Sequence, residues 1–141
     1  MKKIALVLAI VIVLSSMSLL LFACTAKVAG KTYVMESYDI TAEGAPQSLI
    51  DNVKSVVEST YKTAELTFNK DGTMVVKAGD TELEKDYYKQ VGKNIYVSDT
   101  EEVKTDGDPV FTVDGKKIVW TRTETIMSYT VVVKMVIVQK K

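Results

Sequence analysis

The sequence predicts a mainly β protein in which an antiparallel meander closes into a small barrel, with one amphipathic helix at about 46–59 and an apolar N-terminal helix ahead of the barrel. Residues 24–141 contain 18 Val and 15 Thr but only 3 Leu, and β-branched side chains favour strands over helices. Asp-Gly and related pairs recur between short apolar runs, and such pairs accept the positive φ angles of tight hairpin turns. Most connections are short, which favours antiparallel neighbours.

The first 23 residues differ in composition from the rest of the chain. They hold 18 apolar residues, two lysines directly after the start and no acid. A short positive region followed by an apolar run is typical of a secretory signal peptide. An uncleaved transmembrane helix is the main alternative, because about 20 apolar residues are enough to span a bilayer, and a buried core helix is the third. Three serines interrupt the run and no positive cluster follows it directly, which favours the signal peptide.

The apolar run ends in Leu21-Phe22-Ala23-Cys24, which resembles the lipobox of bacterial lipoproteins. The resemblance implies that residues 1–23 are a removed signal peptide, that Cys24 carries the lipid, and that residues 24–29 form a lipidated tether. Cys24 is the only cysteine, so it has no disulfide partner within the chain. An anchor of two or three acyl chains such as palmitate attaches a protein stably, whereas one chain is marginal. We therefore expect a bacterial protein held at the cell membrane and facing outside the cytoplasm.

Turn signals divide the remaining chain into eight predicted strands and one helix. The strands are expected at 31–41, 62–69, 73–78, 82–90, 94–98, 109–113, 117–124 and 128–139. Between the first two, Pro46–Ser59 carries its apolar residues in one arc at helical spacing, with a proline in the first turn; these residues are Leu49, Ile50, Val53, Val56 and Val57. The apolar side of this helix is expected to close one end or side of the sheet.

The last predicted strand, Tyr129–Val138, is apolar on both faces except at Thr130 and Lys134. A strand of this kind is usually covered on both sides or closes a barrel, because at an open edge it promotes aggregation. Closure into a small barrel is therefore the expected architecture.

Three segments carry a resemblance to a known family. They are Gly30-Lys31-Thr32-Tyr33, the run from Leu66 to Thr73, and the run from Phe111 to Trp120. Together with the helix and the preceding lipobox, they resemble the lipocalin-like domains of small bacterial lipoproteins. The resemblance covers about 30–138 and implies a lipocalin-like β-barrel domain at 30–141 that binds a small apolar or amphipathic ligand without catalysis.

Composition excludes several classes of function. The chain has no histidine, which removes Ser-His-Asp and Cys-His catalysis and histidine-ligated metals. Residues 24–141 hold 16 Lys and Arg against 18 Asp and Glu, so the net charge gives no support for binding nucleic acid. We expect neither enzymatic activity nor a cofactor or metal.

Three carboxylates, Glu82, Glu84 and Asp86, alternate along one predicted strand and are expected to share a face. A calcium site would need more oxygen ligands and usually a loop that wraps the ion. The simpler interpretation is a solvated outer face that discourages pairing with another chain.

The candidate ligand-binding residues are Tyr33, Tyr96, Trp120 and Arg122. Aromatic side chains serve recognition well, although their ordinary role is core packing. An interior Trp120 would bring Arg122 toward a barrel mouth, where the guanidinium would meet an anionic ligand or pair with a carboxylate. Two hypotheses follow: a membrane-tethered binding module, or a solid-barrel structural lipoprotein that contacts envelope proteins. The interior volume distinguishes them, since small barrels are commonly filled by their own side chains.

Overall fold

The computed structural model describes residues 25–141, which form eight strands and one helix. In chain order these are β1 (Lys31–Thr41), α1 (Gln47–Tyr61), β2 (Ala64–Phe68), β3 (Thr73–Ala78), β4 (Thr81–Val91), β5 (Asn94–Ser98), β6 (Phe111–Asp114), β7 (Lys117–Ile126) and β8 (Tyr129–Gln139). The mainly β architecture with one helix is confirmed. The predicted signal peptide and the predicted lipidation site, Cys24, lie outside the described residues.

Each strand pairs antiparallel with the next, and β8 pairs with β1 to close the barrel. Closure leaves no strand with an unpaired edge, so the chain avoids a site for pairing with other copies. It also gives β8 a partner on both sides, as its apolar pattern predicts. Residues 25–141 therefore contain a closed barrel together with its own hydrophobic core.

Alternating strand directions sort the connections into two ends of the barrel. We call one end the base: it contains the N-terminal segment 25–30, the loops 69–72, 92–93 and 115–116, and the C-terminal residues 140–141. We call the other end the mouth: it contains residues 42–63, which include α1, and the loops 79–80, 99–110 and 127–128.

The best-packed part of the core lies toward the base, around Phe68. This side chain is fully buried, and its ring lies 4.9 Å from that of Tyr88, 5.8 Å from that of Tyr33 and 5.9 Å from that of Phe111, measured between centroids. All three contacts are edge-on, the geometry that aromatic quadrupoles favour. Ile118 and Ile95 are also fully buried, so the base of the barrel is solid.

The N-terminal segment closes the base instead of hanging free. Val28 is fully buried in the core, and Gly30 turns the chain into β1 with a φ of 78°. The side chain of Gln90 holds the segment: its Oε1 accepts from the Val28 amide at 3.1 Å, and its Nε2 donates to the Ala26 carbonyl at 2.8 Å. The sequence placed these residues in a tether before a domain starting at 30, whereas packing extends the domain to at least Ala26.

Helix α1 lies at the mouth, where it packs on β1 and β2. Leu49 and Val57 are buried, whereas Val56, which the helical pattern placed on the apolar side, is 62% exposed. The Tyr38 hydroxyl of β1 donates to Glu58 at 2.5 Å and so ties the helix to the barrel wall. The helix therefore covers one side of the mouth and leaves the rest to the loops.

Candidate functional site

A cavity of about 620 Å³ lies inside the barrel and opens toward the mouth. Its walls are residues that alternate along the strands and so face inward, together with residues of α1 and of the loop 99–110. The lining consists of Tyr33, Met35, Tyr61, Ala64, Leu66, Met74, Val76, Glu84, Asp86, Val97, Ser98, Asp99, Pro109, Val110, Phe111, Trp120, Thr121, Arg122, Met135 and Ile137. Most of these side chains are apolar, and the charged ones belong to β4, β7 and the loop 99–110.

Two aromatic rings, Tyr33 and Phe111, form the deep part of the cavity where it meets the solid base. Both pack against the buried ring of Phe68. Burial raises the pKa of Tyr33, and the nearby Tyr88 adds to the rise. The Tyr33 hydroxyl is therefore uncharged at any physiological pH, and the inner end of the cavity carries no charge.

Trp120 and Tyr61 form the aromatic part of the upper wall. Trp120 is on β7, and Tyr61 is the last residue of α1. Their ring centroids lie 6.0 Å apart at an interplanar angle of 52°. The C-terminal end of the helix thus adds a ring to a site built mainly by strands. Sequence analysis missed Tyr61, although its place one helical turn beyond Val57 was a usable signal.

Glu84 and Asp86 line the cavity, so neither lies on the outer face where the sequence placed them. They pair with Val76 and Met74 of β3, which line the same cavity, and a register shift separates Glu82 from them. Val76 pairs with Glu84, but the next residue, Lys77, pairs with Glu82, which leaves Leu83 in a bulge. A bulge inserts one residue and turns the following side chains to the opposite face. Glu82 is accordingly absent from the cavity lining, and the three carboxylates do not share a face.

The two inward carboxyls interact directly. A hydrogen bond with the Asp86 carboxyl is the main cause that raises the pKa of Glu84, with burial and the negative charge of Asp86 acting in the same direction. The positive charge of Arg122 lowers it in part. Glu84 therefore keeps its proton to a higher pH than an isolated glutamate, and the pair gains its second negative charge only above that pH.

Arg122 lies at the rim, on the same strand face as Trp120, and both line the cavity. Its guanidinium forms an ion pair with Glu124, two residues along β7. Asp99, Glu84 and Asp86 supply three further carboxyls to the lining. The rim consequently carries an excess of negative charge, and the one arginine in the lining already has a carboxylate partner.

The structure does not bring Tyr96 to this cavity. Its neighbours on β5, Ile95 and Val97, belong to the interior, so alternation turns the Tyr96 side chain outward. There it lies opposite Lys89 of β4. Of the four candidate binding residues, Tyr33, Trp120 and Arg122 share one cavity and Tyr96 is separate from it.

Within residues 25–141, no set of acidic or cysteine side chains is grouped so that it would hold a metal ion. The one described helix is too short or too polar to cross a bilayer. Comparisons of the chain with protein-family models, with curated proteins and with solved structures give no match.

Proposed function

We propose that this chain is a non-catalytic binding protein whose barrel holds a small apolar or amphipathic ligand and which is anchored through Cys24 to the outer side of a bacterial cell membrane. The observation that carries the binding part is the cavity of about 620 Å³. Pockets that enclose small molecules typically have volumes of roughly 300–1,000 Å³ and mainly apolar walls. Lipocalins are likewise up-and-down barrels of eight strands that hold one small ligand, and the present barrel has the same strand number and order.

The charge of the rim favours one kind of amphipathic ligand. Three carboxyls and one arginine already paired with Glu124 line the upper cavity. A ligand with its apolar part among the aromatic rings would place its polar end among these carboxyls. A cationic or hydrogen-bond-donating end would be attracted there, and an anionic end repelled. The rim therefore favours a ligand with a cationic end over the anionic ligand that was one of the two roles expected for Arg122.

The binding part is tested with residues 25–141 and the neutral apolar dye N-phenylnaphthylamine. The dye should bind at a single site and quench Trp120, the one tryptophan in the chain, by energy transfer. Val76→Phe should place a phenyl ring in the cavity and weaken binding at least tenfold. Val91→Phe makes the same change at a position that is 48% exposed and outside the lining, and it should leave binding unchanged. Equal affinity in both variants would place the dye elsewhere.

The head-group preference is tested separately by displacing the dye with decylammonium, decanol and decanoate below their micelle concentrations. Decylammonium should bind at least about fivefold more tightly than decanoate, since roughly 1 kcal/mol separates like from opposite charges near the surface. Glu84→Gln combined with Asp86→Asn should remove this preference and retain the binding of decanol. If the three compounds compete equally, the charge assignment fails while the cavity assignment stands.

The anchor is tested in cells by replacing Cys24 with Ala. The resemblance to a lipobox leads us to expect loss of acylation and of processing before residue 24. A variant that is acylated and processed like the original chain would refute the anchor. In the same proposal the base of the barrel faces the membrane, because Thr25 and Val28 enter the fold there, and the mouth faces away from it.

The alternative is a structural lipoprotein that contacts envelope proteins. A valine stripe favours it: Val132, Val136 and Val138 alternate with inward residues of β8, opposite Val34 and Val119 of the neighbouring strands. Val136→Thr would weaken a contact made through this stripe without changing dye binding. The cavity of about 620 Å³ favours the binding hypothesis over this alternative, which assumed a filled interior.

A further inference from the structure

The two ends of the barrel carry opposite charge. The connections at the base hold six lysines and one aspartate, whereas those at the mouth, including α1, hold nine acids and three lysines. The base lysines are Lys27, Lys70, Lys93, Lys116, Lys140 and Lys141. The near-neutral total therefore conceals a molecule that is positive at one end and negative at the other.

The positive charge of the base is spread around its whole perimeter. Each of the three base loops supplies one lysine, and the two chain termini supply the others. All six are exposed. Among the described residues, Lys140 alone of the six forms an ion pair, with Glu65 on the barrel wall. The one acid of the base loops, Asp71, accepts hydrogen bonds from the amide and hydroxyl of Thr73, so its carboxylate is held by its own loop.

The position of the N-terminal segment decides what faces this surface. Val28 is buried in the base, and the chain reaches it from Thr25. An extended chain spans at most about 3.6 Å per residue, so Cys24 and the apolar run before it join the fold within roughly 15 Å of the base. The apolar run that precedes Cys24 in the sequence and the lysines of the base match the two parts of a bilayer surface, its hydrocarbon and its anionic headgroups.

We infer that the base is a docking surface for anionic lipid headgroups, which holds the barrel upright with its mouth away from the bilayer. The inference rests on the proposed function only for the location of the chain at a membrane. Docking adds an electrostatic attraction to the lipid anchor and fixes an orientation that the anchor alone would leave free. The negative mouth is repelled from the same surface, so both ends favour one orientation.

The test uses residues 25–141, which lack Cys24 and the apolar run. Binding is measured by co-sedimentation with vesicles of phosphatidylcholine alone and of phosphatidylcholine and phosphatidylglycerol in equal parts. We expect binding to the anionic vesicles only, and its loss in high salt, where the screening length falls from about 10 Å at 0.1 M to about 3 Å at 1 M. Equal binding to both kinds of vesicle, or to neither, would overturn the proposal.

A matched pair of variants locates the surface. Lys70→Gln, Lys93→Gln and Lys116→Gln together remove the lysine charges of the three base loops. The affinity for anionic vesicles should fall about fivefold per lysine, or roughly a hundredfold in all. A control variant changes three mouth lysines, Lys54, Lys62 and Lys104, to glutamine and should bind as tightly as the original or more tightly. Equal losses of vesicle affinity in the two variants would show that binding depends on the overall charge of the protein and not on the base.

Three further outcomes keep this proposal distinct from others. If duplex DNA competes with anionic vesicles at equal phosphate concentration and binds more tightly, the base recognises polyanions and the lipid assignment is wrong. If Cys24→Ala abolishes acylation in cells while the fragment fails to bind vesicles, the anchor stands and the docking surface falls. The reverse result would leave docking in place and remove the anchor.

Discussion

Replacing Val28 with Ala tests whether the segment directly after the predicted anchor site is part of the barrel. The side chain is fully buried, and the substitution removes two methyl groups. Their transfer from water is worth about 0.8 kcal/mol each, and the space left behind adds to the cost. We therefore expect the free energy of unfolding to fall by about 2–3 kcal/mol, which lowers the Tm of a domain of this length by on the order of 10 °C.

Unfolding of residues 25–141 by guanidinium chloride, followed by the emission of Trp120, measures this loss. The slope with denaturant should stay constant, since the surface exposed on unfolding hardly changes. Val56→Ala is the matched control, because the same atoms are removed from a side chain that is 62% exposed; its effect should stay within about 0.5 kcal/mol. If the two variants are equally stable, the N-terminal segment does not close the base, and the reasoning is refuted.

Three other predictions concern the same domain. Gln90→Ala removes the side chain that holds the N-terminal segment. It should lower the free energy of unfolding by about 2 kcal/mol, because the Val28 amide and the Ala26 carbonyl lose their partners. A loss of less than about 0.5 kcal/mol on chemical denaturation would show that Gln90 does not hold the segment. Met127→Asn with Ser128→Gly should raise Tm, because both residues have positive φ, 50° and 74°, in a two-residue hairpin turn that Asn-Gly fits without strain; a lower Tm would refute strain there. Asp86→Asn should raise the free energy of unfolding by a few tenths of a kcal/mol at pH 7, after solvent screening. Because the pKa of Glu84 is raised in the fold, stability is lost as pH rises from the ordinary value of 4.5 through the folded value. Removing the Asp86 carboxylate removes the main cause of that rise. Unfolding at pH 4 should show a smaller gain, and a loss at pH 7 would contradict the repulsion.

Local chemistry made most of the architecture predictable. Glycines with positive φ, such as Gly72 and Gly115, occupy the turns expected for them, and the two-sided apolar pattern of β8 anticipated closure with β1. The last hairpin was displaced by about two residues, because Met127-Ser128 has no compositional turn signal. Its backbone is imposed by the long pairing of β7 with β8 rather than by the turn residues.

The site was less predictable, since it depends on register and on distant contacts. Alternation along a strand put Trp120 and Arg122 on one face correctly, and it failed for Glu82 because a single bulge at Leu83 separates Glu82 from Glu84 and Asp86. Tyr96 looked equivalent to the other aromatics in the sequence, yet it lies on the opposite face from Ile95. The burial of Val28 depends on a glutamine 62 positions away, a contact that no local pattern encodes.

A crystal structure of residues 25–141 with decanol tests the central claim most directly. We expect electron density for the alkyl chain inside the barrel, between Tyr33, Phe111 and Trp120, with the hydroxyl group near the carboxyls of Glu84 and Asp86 at the rim. An interior without the ligand at saturating decanol, or a chain bound only on the outer valine stripe, would contradict the claim that this barrel is a binding module.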